Sequence, residues 1–157
     1  MQLNQLTSKI IGAAIQVHQE LGPGLLESAY QRCMLIELQR FDLKVQSEVL
    51  LPIVYRGQSI ADDGFRIDIL VEDSVIVELK SVEEVKLVHK KQLFTYLKLA
   101  KKPLGLLINF NVPYLKDGIS RIIADKSLKF SDFSPEKSEN LQSSVSLCET
   151  TFLPRPS

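Results

Sequence analysis

The hydrophobic pattern runs with period two through the middle of the chain and near period 3.6 on either side of it. From Phe65 to Lys80 apolar residues alternate: Phe65, Ile67, Ile69 and Val71 fall on one face, then Val75, Val77 and Leu79 on one face of a second arm. Glu72-Asp73-Ser74 between them supplies a turn, so the stretch predicts a β-hairpin. The opposite face carries Arg66, Asp68 and Leu70, then Ile76, Glu78 and Lys80. Charges set among branched apolar residues are costly if buried without partners. Register decides whether they meet. A two-residue turn at Asp73-Ser74 pairs 72 with 75 and puts Asp68 and Glu78 on opposite faces. A three-residue loop, Glu72-Asp73-Ser74, pairs 71 with 75 and sets Asp68 opposite Glu78; that loop, or an equivalent bulge, is expected.

Before the hairpin, Asn4 to Glu20 reads as an amphipathic helix, with Ile10, Ile11, Ala14, Ile15, Val17 and His18 recurring near period 3.6 and Gly22 as its stop. His18 borders the apolar stripe as a core-edge histidine. A second helix is expected from near Leu25 to about Arg40. Its first turn carries Glu27, which complements a helix dipole and also shares a face with Tyr30. Val45 to Tyr55 reads as a first strand, and Pro52 makes it an edge strand or one with a bulge. Asp62-Asp63-Gly64 is a second turn signal. After the hairpin, Glu83 to Lys102 reads as a helix with His89, Gln92, Tyr96 and Ala100 on one side and most of Lys90, Lys91, Lys98, Lys101 and Lys102 on the other. The lysines suit a solvated face, or a grip on phosphates at a rim. Leu104 to Phe110 is continuously apolar, as in a strand buried on both faces, so strand, helix and strand imply a right-handed parallel crossover. A last short strand is expected within Gly118 to Ala124.

From Asp125 the pattern fails. The last 33 residues hold eight serines and three prolines, so residues 1–124 read as one domain and 125–157 as a Ser-rich mobile tail. The formal net charge is zero, which supplies no global basic field for coating nucleic acid but leaves a local site open. Two distant cysteines, Cys33 and Cys148, suit a reducing, cytoplasmic setting, and neither a membrane span nor a signal-peptide pattern is evident. With only two histidines, a histidine-rich metal site is not expected.

An Asp on one strand and Glu-x-Lys on the next suit metal-dependent phosphodiester hydrolysis. Hard oxygen ligands select Mg²⁺ or Mn²⁺ over zinc. Asp68 and Glu78 would ligate the ion, with the Leu79 carbonyl as a further oxygen. Lys80, on the same face as Glu78, would orient a water or stabilise charge at phosphorus.

Ile67-Asp68 followed by Glu78-Leu79-Lys80 resembles the PD-(D/E)XK nuclease superfamily, with Ile in place of the usual Pro. Gln92-Leu93-Phe94-Thr95-Tyr96 resembles the Gln-x-x-x-Tyr motif of its RecB-like branch. Gly24-Leu25-Leu26-Glu27-Ser28-Ala29-Tyr30 is similar to the signature of the GxxExxY proteins. The resemblance covers about residues 4 to 124. It implies an α/β fold, a mixed central β-sheet flanked by helices with a restriction-endonuclease-like core. It also implies that Glu27 reaches the metal site, that Gln92 and Tyr96 contact the substrate or brace the site, and that Tyr30 contacts the substrate. DNA or RNA is then the expected partner, and a homodimer stays open. The rival reading is a catalytically inactive binding or regulatory module in which the same charges form a structural cluster.

Overall fold

The computed structural model describes residues 1–60 and 64–134. Asp62 and Asp63 of the second turn signal, Cys148 and residues 135–157 of the tail lie outside them.

Two helices come first, α1 (Leu3–Leu21) and α2 (Glu27–Arg40). Leu6, Ile10, Ala13, Ala14 and Val17 of α1 pack with Tyr30, Met34 and Leu38 of α2, each set following the helical repeat. Gly22 ends α1 at φ 68°, a conformation that side chains disfavour. Strand β1 (Val45–Leu51) stops before Pro52. The next residues form a separate hairpin, β2 (Val54–Tyr55) with β3 (Gln58–Ser59), instead of prolonging β1 to Tyr55. Proline has no N–H to donate to a ladder, so the strand breaks there.

The central hairpin is β4 (Phe65–Val71) and β5 (Val75–Lys80). Helix α3 (Leu87–Ala100) and β6 (Leu104–Asn109) follow, and β7 (Ile119–Ile123) closes the sheet. Strand order is β1-β4-β5-β6-β7, with β5 and β6 parallel and the other neighbours antiparallel. This is the mixed, helix-flanked sheet expected, with β1 at an edge. Helices α1 and α2 cover one face and α3 the other. At Gly105 a Cβ would stand 2.7 Å from Leu93 Cδ1, so only glycine lets α3 settle this close to β6.

Helix α3 begins four residues later than its pattern suggests. The buried Asn109 side chain accepts from the Val82 N–H at 3.1 Å and donates to the Val82 carbonyl at 2.9 Å, which ties the preceding segment to the end of β6. That tertiary contact outweighs the helical propensity of Glu83 and Glu84.

Residues 125–134, which composition assigns to the tail, return to the core. Phe133 is buried against Phe94, their ring centroids 5.1 Å apart.

The hairpin pairs Val71 with Val75, Leu70 with Ile76 and Ile69 with Val77, and the loop is Glu72-Asp73-Ser74 as expected. Glu72 and Asp73 both take positive φ, and the Ser74 N–H donates to the Val71 carbonyl at 3.0 Å. One expectation fails. Phe65, Ile67, Ile69 and Val71 do not share a face. Ile69 and Val71 pack toward α1 and α2, whereas Ile67 packs under α3 and the Phe65 ring meets Tyr96. In β1, Val45 likewise sits on the first side and Val49 and Leu51 on the second. The break lies at Glu48 and Asp68, the rung missing from the β1–β4 ladder. Glu48 takes φ 53°, outside the extended region, at that point of β1.

Candidate active site

The site lies where β4 and β5 stop pairing. One step beyond Ile69↔Val77 the register brings Asp68 opposite Glu78. There the backbone ladder gives way to side chains. The Asp68 N–H donates to Glu78 Oε1 at 3.3 Å, and the Leu79 N–H donates to Asp68 Oδ2 at 2.8 Å. Each carboxylate thus commits one oxygen to the neighbouring strand, which fixes its direction.

Glu78 is 4% exposed and Asp68 partly so. Burial, and then the charge of Asp68, push the Glu78 carboxyl up to about 8. Burial likewise raises Asp68. The Leu79 N–H and the Lys80 charge pull it back, and Glu27 and Glu48 push it further up. Lys80 is the cation that lowers both. Negative charge therefore exceeds the nearby positive charge, and burial makes that imbalance costly.

Glu27, the first residue of α2, lines a cavity of about 270 Å³ with Ser28, Gln31, Glu48, Asp68 and Leu79. Gln31 and Glu48 are residues that sequence reasoning missed. Gln31 Nε2 donates to Glu48 Oε1 at 2.6 Å and to the Asp68 carbonyl at 3.0 Å, bridging the missing rung. Only the β1–β4 register places Glu48 beside Asp68, and no local pattern reports that pairing.

Along α3, His89 lies near enough to Lys80 that its charge, after burial, lowers the imidazole's proton affinity. Gln92 Nε2 donates to the Tyr96 hydroxyl at 2.8 Å. Burial raises the Tyr96 pKa, and the charges of Glu78 and Asp68 add to the rise. Tyr96 therefore lies within electrostatic reach of the carboxylates, with Gln92 hydrogen-bonded to it.

Tyr30 is corrected. Its side chain is fully buried and stacked on Phe110 with centroids 4.2 Å apart, so it offers no surface to a substrate. Its hydroxyl donates to the Gly22 carbonyl at 2.5 Å and accepts from the Leu25 N–H at 3.2 Å. Tyr30 thereby anchors the α1–α2 loop ahead of Glu27. His18 also proves structural, its Nε2 2.8 Å from the Val112 carbonyl at the edge of the core.

A family model described as the PD-(D/E)XK nuclease superfamily matches residues 4–122. The chain belongs to this superfamily. Comparison with curated proteins and with solved structures gave no match. PD-(D/E)XK nucleases generally use divalent metals, and the donors at this site are hard oxygens suited to Mg²⁺ or Mn²⁺. Among the described residues of this PD-(D/E)XK chain, no three or more His, Cys, Asp and Glu side chains form a ready metal cage. Asp68 and Glu78 meet, and Glu27 lines the adjoining cavity without completing a three-carboxylate group. The excess negative charge at Asp68 and Glu78 fits a cation at the same place. No described helix is long and apolar enough to cross a membrane.

Proposed function

We propose that this chain is a divalent-metal-dependent nuclease of the GxxExxY branch, hydrolysing phosphodiester bonds of DNA or RNA in the cytoplasm. The observation that carries the reading is the meeting of Asp68 and Glu78 on adjacent strands, beside Lys80 and short of positive charge. Asp68 and Glu78 are the proposed ligands, with the Leu79 carbonyl and Glu27 as further oxygens. Bound Mg²⁺ or Mn²⁺ supplies Lewis acidity toward a phosphoryl oxygen and lowers the pKa of a coordinated water. The chain's own residues do the rest. The Leu79 and Asp68 N–H groups hold the two carboxylates in place. Lys80 places a positive charge where negative charge grows at phosphorus. Gln92 and Tyr96 would brace Glu78 from α3; at 3% exposure Tyr96, like Tyr30, has almost no surface to offer a substrate.

A formal net charge of zero favours the second reading, an inactive module that keeps the fold. Calorimetric titration of Mg²⁺ and Mn²⁺ into wild type and into the Asp68→Asn, Glu78→Gln double variant separates the two. Binding that the double variant lacks, followed by cleavage of labelled DNA or RNA, is expected. Cleavage of neither nucleic acid at millimolar metal would leave the inactive module.

A further inference from the structure

We propose that Phe65 is a substrate-specificity residue of this site, stacking on an unpaired base next to the scissile phosphate, so that the enzyme favours single-stranded nucleic acid. The inference rests on the nuclease reading and adds its substrate class.

Phe65 is 43% exposed, although it begins a strand whose later residues are buried. Isolated exposed apolar residues are common and need no explanation. Phe65 differs from the others in its neighbours. Its ring lies 5.5 Å from that of Tyr96, tilted by 45°. Tyr96, 3% exposed, feels the charges of Glu78 and Asp68 and is hydrogen-bonded to Gln92. His89, one turn further toward the start of α3, feels Lys80 and Glu27. Gln92 and the open Phe65 ring therefore both touch Tyr96, which lies within electrostatic reach of Glu78 and Asp68. Along β4 itself, Phe65 stands three residues from Asp68, about 10 Å in an extended strand.

The β1–β4 ladder is interrupted beside this residue. Had the alternation continued through Asp68, Phe65 would face α1 and α2 with Ile69 and Val71. Instead the facing changes across the missing Glu48–Asp68 rung, and Phe65 lies on the Tyr96 side.

An aromatic face at that point recognises a base from above or below, and every base has such a face. In a duplex those faces are covered by neighbouring pairs. A strand with an unpaired base can stack, whereas a paired one must first be opened.

The test uses the full chain, Mg²⁺, and 5′-fluorescein-labelled DNA and RNA oligonucleotides of one sequence, single-stranded or annealed to a complement. Wild type is expected to cleave single strands at higher kcat/KM than duplexes. Phe65→Ala should raise KM for single strands about tenfold with kcat within about twofold, affect duplex cleavage much less, and be rescued by Phe65→Trp. A second measurement needs no variant. In wild type, one abasic position near the cut should raise KM by a similar factor, and that position should cease to matter in Phe65→Ala. Equal losses on single strands and duplexes, or no abasic-sensitive position, would overturn the stacking role while leaving the nuclease reading intact. Wild type that cleaves no nucleic acid would overturn both.

Discussion

Asp68 and Glu78 are joined through backbone amides: the Asp68 N–H donates to Glu78 Oε1 at 3.3 Å, and the amide next to Glu78, that of Leu79, donates to Asp68 Oδ2 at 2.8 Å. The arrangement holds two carboxylates close together in a partly buried site. It does so at an electrostatic cost that a cation would relieve.

That cost should be visible in the metal-free protein. The Glu78 carboxyl stands at about 8 in the folded state against 4.5 ordinarily. Between those values the folded chain holds a proton that the unfolded chain has released, so stability falls as pH rises from about 4.5 to 8 and levels off above. His89 works the other way, because its lowered pKa makes stability rise through its titration. The comparison is therefore between wild type and Glu78→Gln. The variant should gain on wild type as pH rises from 5 to 9, by roughly 2–4 kcal/mol in chemical denaturation with chelator present. A constant difference across that range would mean that Glu78 is already ionised at pH 5.

Lys80→Ala should lower kcat roughly 10²- to 10³-fold, the scale for losing one preorganised electrostatic contact. Thermal melting should stay within a few degrees of wild type. The hydrogen bond from the Phe110 N–H goes to the Lys80 carbonyl, which the substitution keeps. A collapse in melting temperature would make Lys80 structural instead.

Gln31 touches no reacting atom in this scheme, yet it bridges Glu48 and the Asp68 carbonyl at the missing rung. Its loss should loosen Asp68. Gln31→Ala is expected to weaken Mn²⁺ binding about tenfold, the lower end of what ligand-supporting partners contribute. Calorimetry that finds wild-type affinity in this variant would remove Gln31 from the site.

Tyr30→Phe separates a structural tyrosine from a substrate-binding one. It strips the hydroxyl from the Gly22 carbonyl and the Leu25 N–H and should cost about 1–3 kcal/mol in stability. Turnover at a temperature well below the melt should stay near wild type. A large fall in kcat/KM with stability intact would return Tyr30 to the substrate.

Much of this was legible in the sequence because it depends on local order. The three-residue loop and the register it sets from Val71↔Val75 suffice to put Asp68 opposite Glu78, and Glu78-x-Lys80 shares a face because strands repeat every two residues. The continuous apolar run at Leu104 to Phe110 marked a strand covered on both sides. Gln92 and Tyr96 meet because helical neighbours four apart do. Tertiary structure alone decided the rest. Glu48 reaches Asp68 through a pairing between strands twenty residues apart in sequence. Tyr30 was drawn into the core by Phe110, and the start of α3 was delayed by Asn109. The turning of Phe65 toward Tyr96 accompanies a break in the β1–β4 ladder that local alternation does not report. Periodicity describes a segment as if it were regular, and contacts between distant segments determine where that regularity breaks.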